Sequence, residues 1–233
     1  MTGQSNEKTR FFFGSSLAYS YLWPAAVGTF ARKTQRKITI FLWFFARLFV
    51  PLHPIMTPQE YVQLKAFARQ DGALLSLLWL AAFICYVQGL TNPLLGMLAL
   101  GFMAYSPFYA ASRLRHFRNY AREGIISFAR GYAYYVLTFF YAGLLLAVAM
   151  YVYFAFIDSG HLMATFTEVL NSKEHRQLLD AYGMTEQVAQ SLKEMASLRP
   201  IDYALNMLTI NISAGFLLGL PFAAIMQRQA VKS

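Results

Sequence analysis

Two histidines and three carboxylates, His161, His175, Asp158, Glu168 and Glu174, fall within one stretch of the chain, and imidazole and carboxylate are both zinc ligands. Their spacing fits no metal motif, because His-Glu-x-x-His is absent and Glu174-His175 stands alone. There is also no Walker A pattern, no dinucleotide glycine fingerprint and no Gly-x-Ser-x-Gly elbow. No catalytic residue, metal or cofactor is therefore expected, and the chain reads as a non-enzymatic protein. Cys85 is the single cysteine, which excludes an intrachain disulfide and a cysteine metal cluster and leaves a small core residue.

A second group of polar residues lies inside apolar sequence. Asn206 and Asn211 would be penalised by hydrocarbon, so they are expected to face protein or water, where an interhelical hydrogen bond contributes about 0.6 to 2 kcal/mol. Structural glue is the preferred reading over a transport site. Gly215 and Gly219 form a small-xxx-small pair that lets a helix approach closely, and packing within the chain is preferred to a dedicated dimer contact. Pro107 and Pro221 interrupt their helices and free backbone carbonyls, which shape a helix and in transporters also bind ligands.

The third group is cationic. Arg113, Arg115, Arg118, Arg122 and Arg130 face one acid, Glu123, between two almost purely apolar runs. Arg115, Arg118 and Arg122 fall at i, i+3 and i+7, so a helical extension would present them together towards anionic headgroups, at about 1 kcal/mol each. All five read as a topology signal with lipid contact, and docking of an acidic partner is the lesser alternative.

The elements that must hold these groups follow from composition. The 233 residues are 57% apolar, 17% aromatic and 13% charged, well below the charged content of soluble chains. Four runs are long enough, or nearly so, to cross a bilayer as helices: residues 72–89, 93–111, 132–157 and 203–226. With only Asp202 and Arg130 placed at the span edges, an ion-coupled relay lacks its usual parts. The net charge of +9 lies beside the spans and lines no soluble groove, so nucleic acid is not an expected partner.

Cytoplasmic loops hold the excess of Lys and Arg, so the arginine loop places the link between the second and third spans inside. Lys65 and Arg69 before the first span agree, as do Arg228 and Lys232 after the last. Leu90-Thr91-Asn92 is uncharged and short enough for a tight helical hairpin on the outer side. Residues 158–201 hold four basic and six acidic residues, as expected of an external segment. Within it Met184, Val188, Leu192 and Met195 recur at helical spacing, predicting a helix over 185–198, with a shorter one over 166–179 and a break at Gly183. These helices are expected to form an amphipathic cap on the outer face. Tyr132, Tyr134 and Tyr135 are expected in an aromatic belt at one interface, and Tyr151 and Tyr153 at the other.

Residues 1–55 are a different kind of sequence, with seven basic residues, one acid and aromatic clusters such as Phe11-Phe12-Phe13. They lack the cleavage site of a signal peptide. Three readings are open: an interfacial anchor, a short fifth span, or an upstream stretch read from an early start codon, the last being favoured. Poor order or a later start is the expectation for this extension. A structured unit begins at Met56, where Thr57, Pro58 and Glu60 have the positions of a helix N-cap, first-turn proline and capping-box acid.

From about Met56 to Gln229 the chain resembles a family of small bacterial inner-membrane proteins, domain of unknown function 4199. The resemblance lies in the order of parts: the Gly72-containing first span, the arginine loop, Gly131-Tyr-Ala-Tyr-Tyr135, Tyr151-Val-Tyr-Phe-Ala-Phe-Ile157, and Pro200-Ile-Asp-Tyr-Ala-Leu. It implies four spans with an outer helical insertion and brings no activity or site residues. The resulting expectation is an all-α integral membrane protein, a four-helix bundle with both termini cytoplasmic. It would serve as a structural or interaction component of the envelope, with the bilayer and its anionic headgroups, a second copy or an envelope protein as partners. The alternative is a small carrier or channel component working as an oligomer.

Overall fold

The computed structural model describes residues 56–228, so every expectation about residues 1–55, and Lys232 in the orientation count, lies outside the described residues. The first helix, α1 (Pro58–Gly89), opens as the sequence predicts. Thr57 accepts from the Glu60 amide at 3.3 Å, and the Glu60 carboxylate accepts from the Thr57 amide at 2.9 Å, with Pro58 in the first turn. A three-residue link, Leu90 to Asn92, leads to α2 (Pro93–Ala121), whose first turn is capped by Asn92 Oδ1 accepting from the Leu94 amide at 3.1 Å. The hairpin is so tight that a Cβ on Gly89 would stand 2.6 Å from the Gly96 backbone.

Pro107 lies inside α2 and cannot donate to the Met103 carbonyl, four residues back; Ser106 Oγ donates to that carbonyl instead, at 2.9 Å. After α2, Glu123 and Gly124 adopt positive φ, 51° and 83°, and turn the chain. Helix α3 (Phe128–Val152) follows and continues through a π-helical turn, Tyr153–Ile157. Three short helices come next, α4 (His161–Asn171), α5 (Lys173–Ala181) and α6 (Thr185–Ala196), before α7 (Pro200–Met226).

The helix expected over 166–179 is thus two, because Ser172 is extended (φ −61°, ψ 149°) and interrupts it. Gly183 separates α5 from α6 with φ 63°, a conformation costly for any residue with a Cβ. Phe166, Leu170 and Leu179 are buried, whereas nothing in α6 is.

Four helices are long and apolar enough to cross a membrane: 58–89, 93–121, 128–157 and 200–226. The first begins well before the apolar run and is about 48 Å long at 1.5 Å per residue, which brings Asp71 inside the helix. Helix α3 is central, packed along its length against α1 and α7, and α2 lies against α1. Close approach sets these pairings. A Cβ on Gly72 would meet Tyr141 Cβ at 2.8 Å and the Thr138 carbonyl at 2.9 Å, so α1 and α3 touch backbone to backbone. Helix α2 meets α7 around Phe108 and Phe222, whose rings cross edge to face at 5.8 Å. The core between α1, α2 and α3 includes Leu64, Leu75, Leu114, Phe117 and Phe139, all nearly inaccessible.

Candidate functional site

The polar residues that the sequence scatters along four elements meet at one end of the bundle, where α2 ends, α3 begins and α7 ends. Asp71, on the buried face of α1, is 1% exposed. Its Oδ1 accepts from Arg113 Nε at 2.6 Å and its Oδ2 from the Tyr134 hydroxyl, which also lies 3.5 Å from the Arg113 carbonyl. One carboxylate therefore joins α1, α2 and α3. Tyr134 is held in place by stacking on Phe117, ring centroids 4.7 Å apart.

A second carboxylate does the same nearer the helix end. Glu60 Oε1 accepts from Arg122 Nη2 at 2.7 Å, and its Oε2 accepts from Arg130 Nη2 at 2.8 Å as well as from the Thr57 amide. In the first turn of α1, about 18 Å along the axis from Gly72, Glu60 lies beyond the apolar run. The Thr57 amide, the Arg122 hydrogen bond and the Arg130 charge hold its carboxyl down to about 2, from an ordinary 4.5, against the opposing effect of desolvation.

Arg118, 4% exposed, reaches the third partner. Its Nη1 donates to the Met226 carbonyl at 3.0 Å and its Nε to Asn119 at 3.1 Å, so a cation satisfies a carbonyl at the C-terminus of α7. Two residues on, Arg228 and Ile126 exchange backbone hydrogen bonds, both at 3.0 Å, and sew the end of α7 to the entry of α3. Beside this stitch is an open pocket of about 550 Å³ lined by Arg122, Arg130, Arg228, Ser127, Glu123 and Ile125 among others. Arg130 Nε is buried with no hydrogen-bond partner among the described residues.

Of the five arginines read as a topology signal, four have protein partners: Arg113 and Arg118 on α2, Arg122 at its C-terminal cap, and Arg130 on α3. Arg115 is exposed. The i, i+3, i+7 trio is accordingly not one headgroup-facing set, since Arg118 turns inward. Sequence reasoning missed Asp71 by beginning the first span one residue after it. The available signal was its register: Leu64, Ala68, Asp71 and Leu75 recur on the buried face of α1.

The packing residues lie apart from this end or along α7. Gly215 rests on Phe139, where a Cβ would stand 2.6 Å from Phe139 Cβ, and Gly219 on the Tyr132 ring at 3.1 Å. Asn211 donates to the Met207 carbonyl of its own helix at 2.9 Å, not across helices as expected, and lies against Gly143. Asn206 is 4% exposed and its Nδ2 has no partner among the described residues. Tyr134 and Tyr135, expected in an interfacial belt, are wholly buried, with Tyr135 donating to the Pro107 carbonyl at 3.1 Å.

At the other end Asp158 closes the π-helical turn, accepting from Gly160 N, Leu162 N and the Tyr153 hydroxyl at 3.2, 2.9 and 3.1 Å. His175 Nδ1 is 2.6 Å from Ser172 Oγ. Among the described residues no group of three His, Cys, Asp or Glu side chains is arranged to hold a metal ion.

Four long apolar helices, three of them joined at one end by ion pairs and the fourth by a hydrogen bond from Arg118, define a multi-helix membrane protein. The chain belongs to the family described as Protein of unknown function (DUF4199), whose model matches residues 70–228. No curated protein and no solved structure matches it.

Proposed function

We propose that this is a multi-pass protein of the bacterial inner membrane that acts as a non-enzymatic interaction component of the envelope. Both termini are cytoplasmic, and residues 158–201 form an external amphipathic cap. The observation that carries this reading is the use made of buried charge. Asp71, Arg118 and Asp158, the buried charged side chains among the described residues, are each bonded to protein atoms that join or close helices. None is left facing a cleft as a base, acid or nucleophile, the arrangement an active site needs. The orientation rests on the arginine excess from the last turns of α2 to the first turn of α3, Arg113, Arg115, Arg118, Arg122 and Arg130 against Glu123. Exposed Leu178 and Tyr182 beside the unburied α6 give the cap apolar surface to offer a partner.

The test is cross-linking in intact membranes followed by purification in mild detergent. The reading expects a stoichiometric partner or a defined oligomer, lost when Leu178 and Tyr182 are both replaced by Ser. Monomer alone, repeatedly and without partner, contradicts it.

A second reading is a carrier or channel component working as an oligomer, favoured by the unpartnered Asn206 Nδ2 inside α7. Flux into proteoliposomes that survives both Asn206→Leu and Asn211→Leu would reduce these residues to packing elements.

A further inference from the structure

We propose that the pocket between the end of α2, the start of α3 and the end of α7 binds the phosphate group of an anion at the membrane surface. This goes beyond the envelope reading and does not depend on it. Three arginines line the pocket, Arg122, Arg130 and Arg228, against one lining acid, Glu123. Glu60 is shared between Arg122 and Arg130, each through one Nη2, so two cations divide one carboxylate. Arg228 has no side-chain partner among the described residues. Arg118 and Arg228 are close enough for their like charges to oppose each other, and Arg115 adds to the same field. Positive charge is thus in excess.

The hydrogen-bond inventory points to the same occupant. Arg130 Nε is a buried donor that no atom of the described residues satisfies, and leaving such a donor unpaired is unfavourable. An acceptor with several oxygens can take this donor together with Arg228, in the forked geometry that guanidinium and phosphate share. Ser127, the residue before α3, also lines the pocket and makes no side-chain capping bond.

The site is built rather than incidental, because its parts are fixed by backbone. Arg228 is held by the reciprocal pair with Ile126, and the turn before it by Gly124 N to Arg118 O at 3.0 Å and Ile125 N to Arg122 O at 2.9 Å. Ile125, 45% exposed, gives the pocket one apolar wall. A phosphodiester with acyl chains beside it matches that mixture, since basic pockets between membrane helices hold lipid headgroups. Inorganic phosphate offers the same oxygens without the chains.

The test is the thermal unfolding midpoint of the full chain in a neutral maltoside detergent at constant ionic strength. It is titrated with short-chain phosphatidylglycerol, phosphatidylcholine or sodium phosphate to give an apparent Kd. Phosphatidylglycerol is expected to raise the midpoint more than phosphatidylcholine. Arg228→Gln, which leaves the backbone pair with Ile126 intact, weakens the apparent Kd about fivefold, the factor that corresponds to about 1 kcal/mol per arginine. Glu123→Gln tightens it, and Arg69→Gln, an equal loss of charge on exposed α1 surface, leaves it unchanged.

A response to phosphatidylglycerol alone identifies the lipid as the source, and a comparable response to sodium phosphate that Arg228→Gln also weakens identifies the free ion. If Arg228→Gln and Arg69→Gln weaken binding equally, the attraction is diffuse and the proposal fails. It also fails if no phosphate-bearing additive shifts the midpoint.

Discussion

Asp71 is the residue on which three helices depend, and its value is best seen in what each partner would lose. Replacing it by Ala leaves the Tyr134 hydroxyl and a partly exposed Arg113 without their acceptor. Breaking a fully buried pair costs about 3 to 5 kcal/mol, and since Arg113 retains some solvent a loss of about 2 to 3 kcal/mol is expected. Denaturant titration in detergent measures it, and Asp71→Asn, which keeps an acceptor oxygen, is expected to lose less. Glu60 predicts a pH effect. Because its carboxyl is held at about 2 in the folded chain against an ordinary 4.5, its stabilisation is complete above 4.5 and fades as pH falls towards 2. Thermal midpoints between pH 6 and pH 3 should fall less steeply for Glu60→Gln than for the parent, and parallel curves would remove Glu60 from the account. These two carboxylates also divide what was legible in sequence. The Glu60–Thr57 capping box is local, three residues apart, and could be read directly. Its bonds to Arg122 and Arg130, and the Asp71–Arg113 pair 42 residues apart, depend on how the helices fold back.

At the scale of elements, the four long helices were readable because bilayer thickness imposes a length and an apolar composition on each. Their ends were less so: α1 and α2 run beyond the apolar windows, where pairing with other helices, not hydropathy, decides how far a helix continues. The break at Ser172 was missed for a related reason, since Phe166, Leu170 and Leu179 keep an apolar pattern across it. Helix contacts turn on missing side chains. Gly215→Ala places a methyl 2.6 Å from Phe139 Cβ, so α7 must shift away from α3, and overpacking of this kind costs about 1 to 3 kcal/mol. Combining Gly215→Ala with Phe139→Ala should cost less than the two separate losses added together, and strict additivity in detergent unfolding would place the contact elsewhere.

For the molecule as a whole, the end bearing Glu60, Asp71 and the arginines is tied by side chains from α1, α2 and α3 and by the last carbonyls of α7. The opposite end holds the α1–α2 hairpin and the three short helices. That asymmetry is the physical content of the proposed orientation: the tied, cationic end faces the cytoplasm and the helical cap faces out. A topology reporter inserted after Arg122 and, separately, after Thr185 tests this most directly. Cytoplasmic signal from the first and external signal from the second is the predicted result, and the reverse pattern would contradict the orientation and the envelope role built on it.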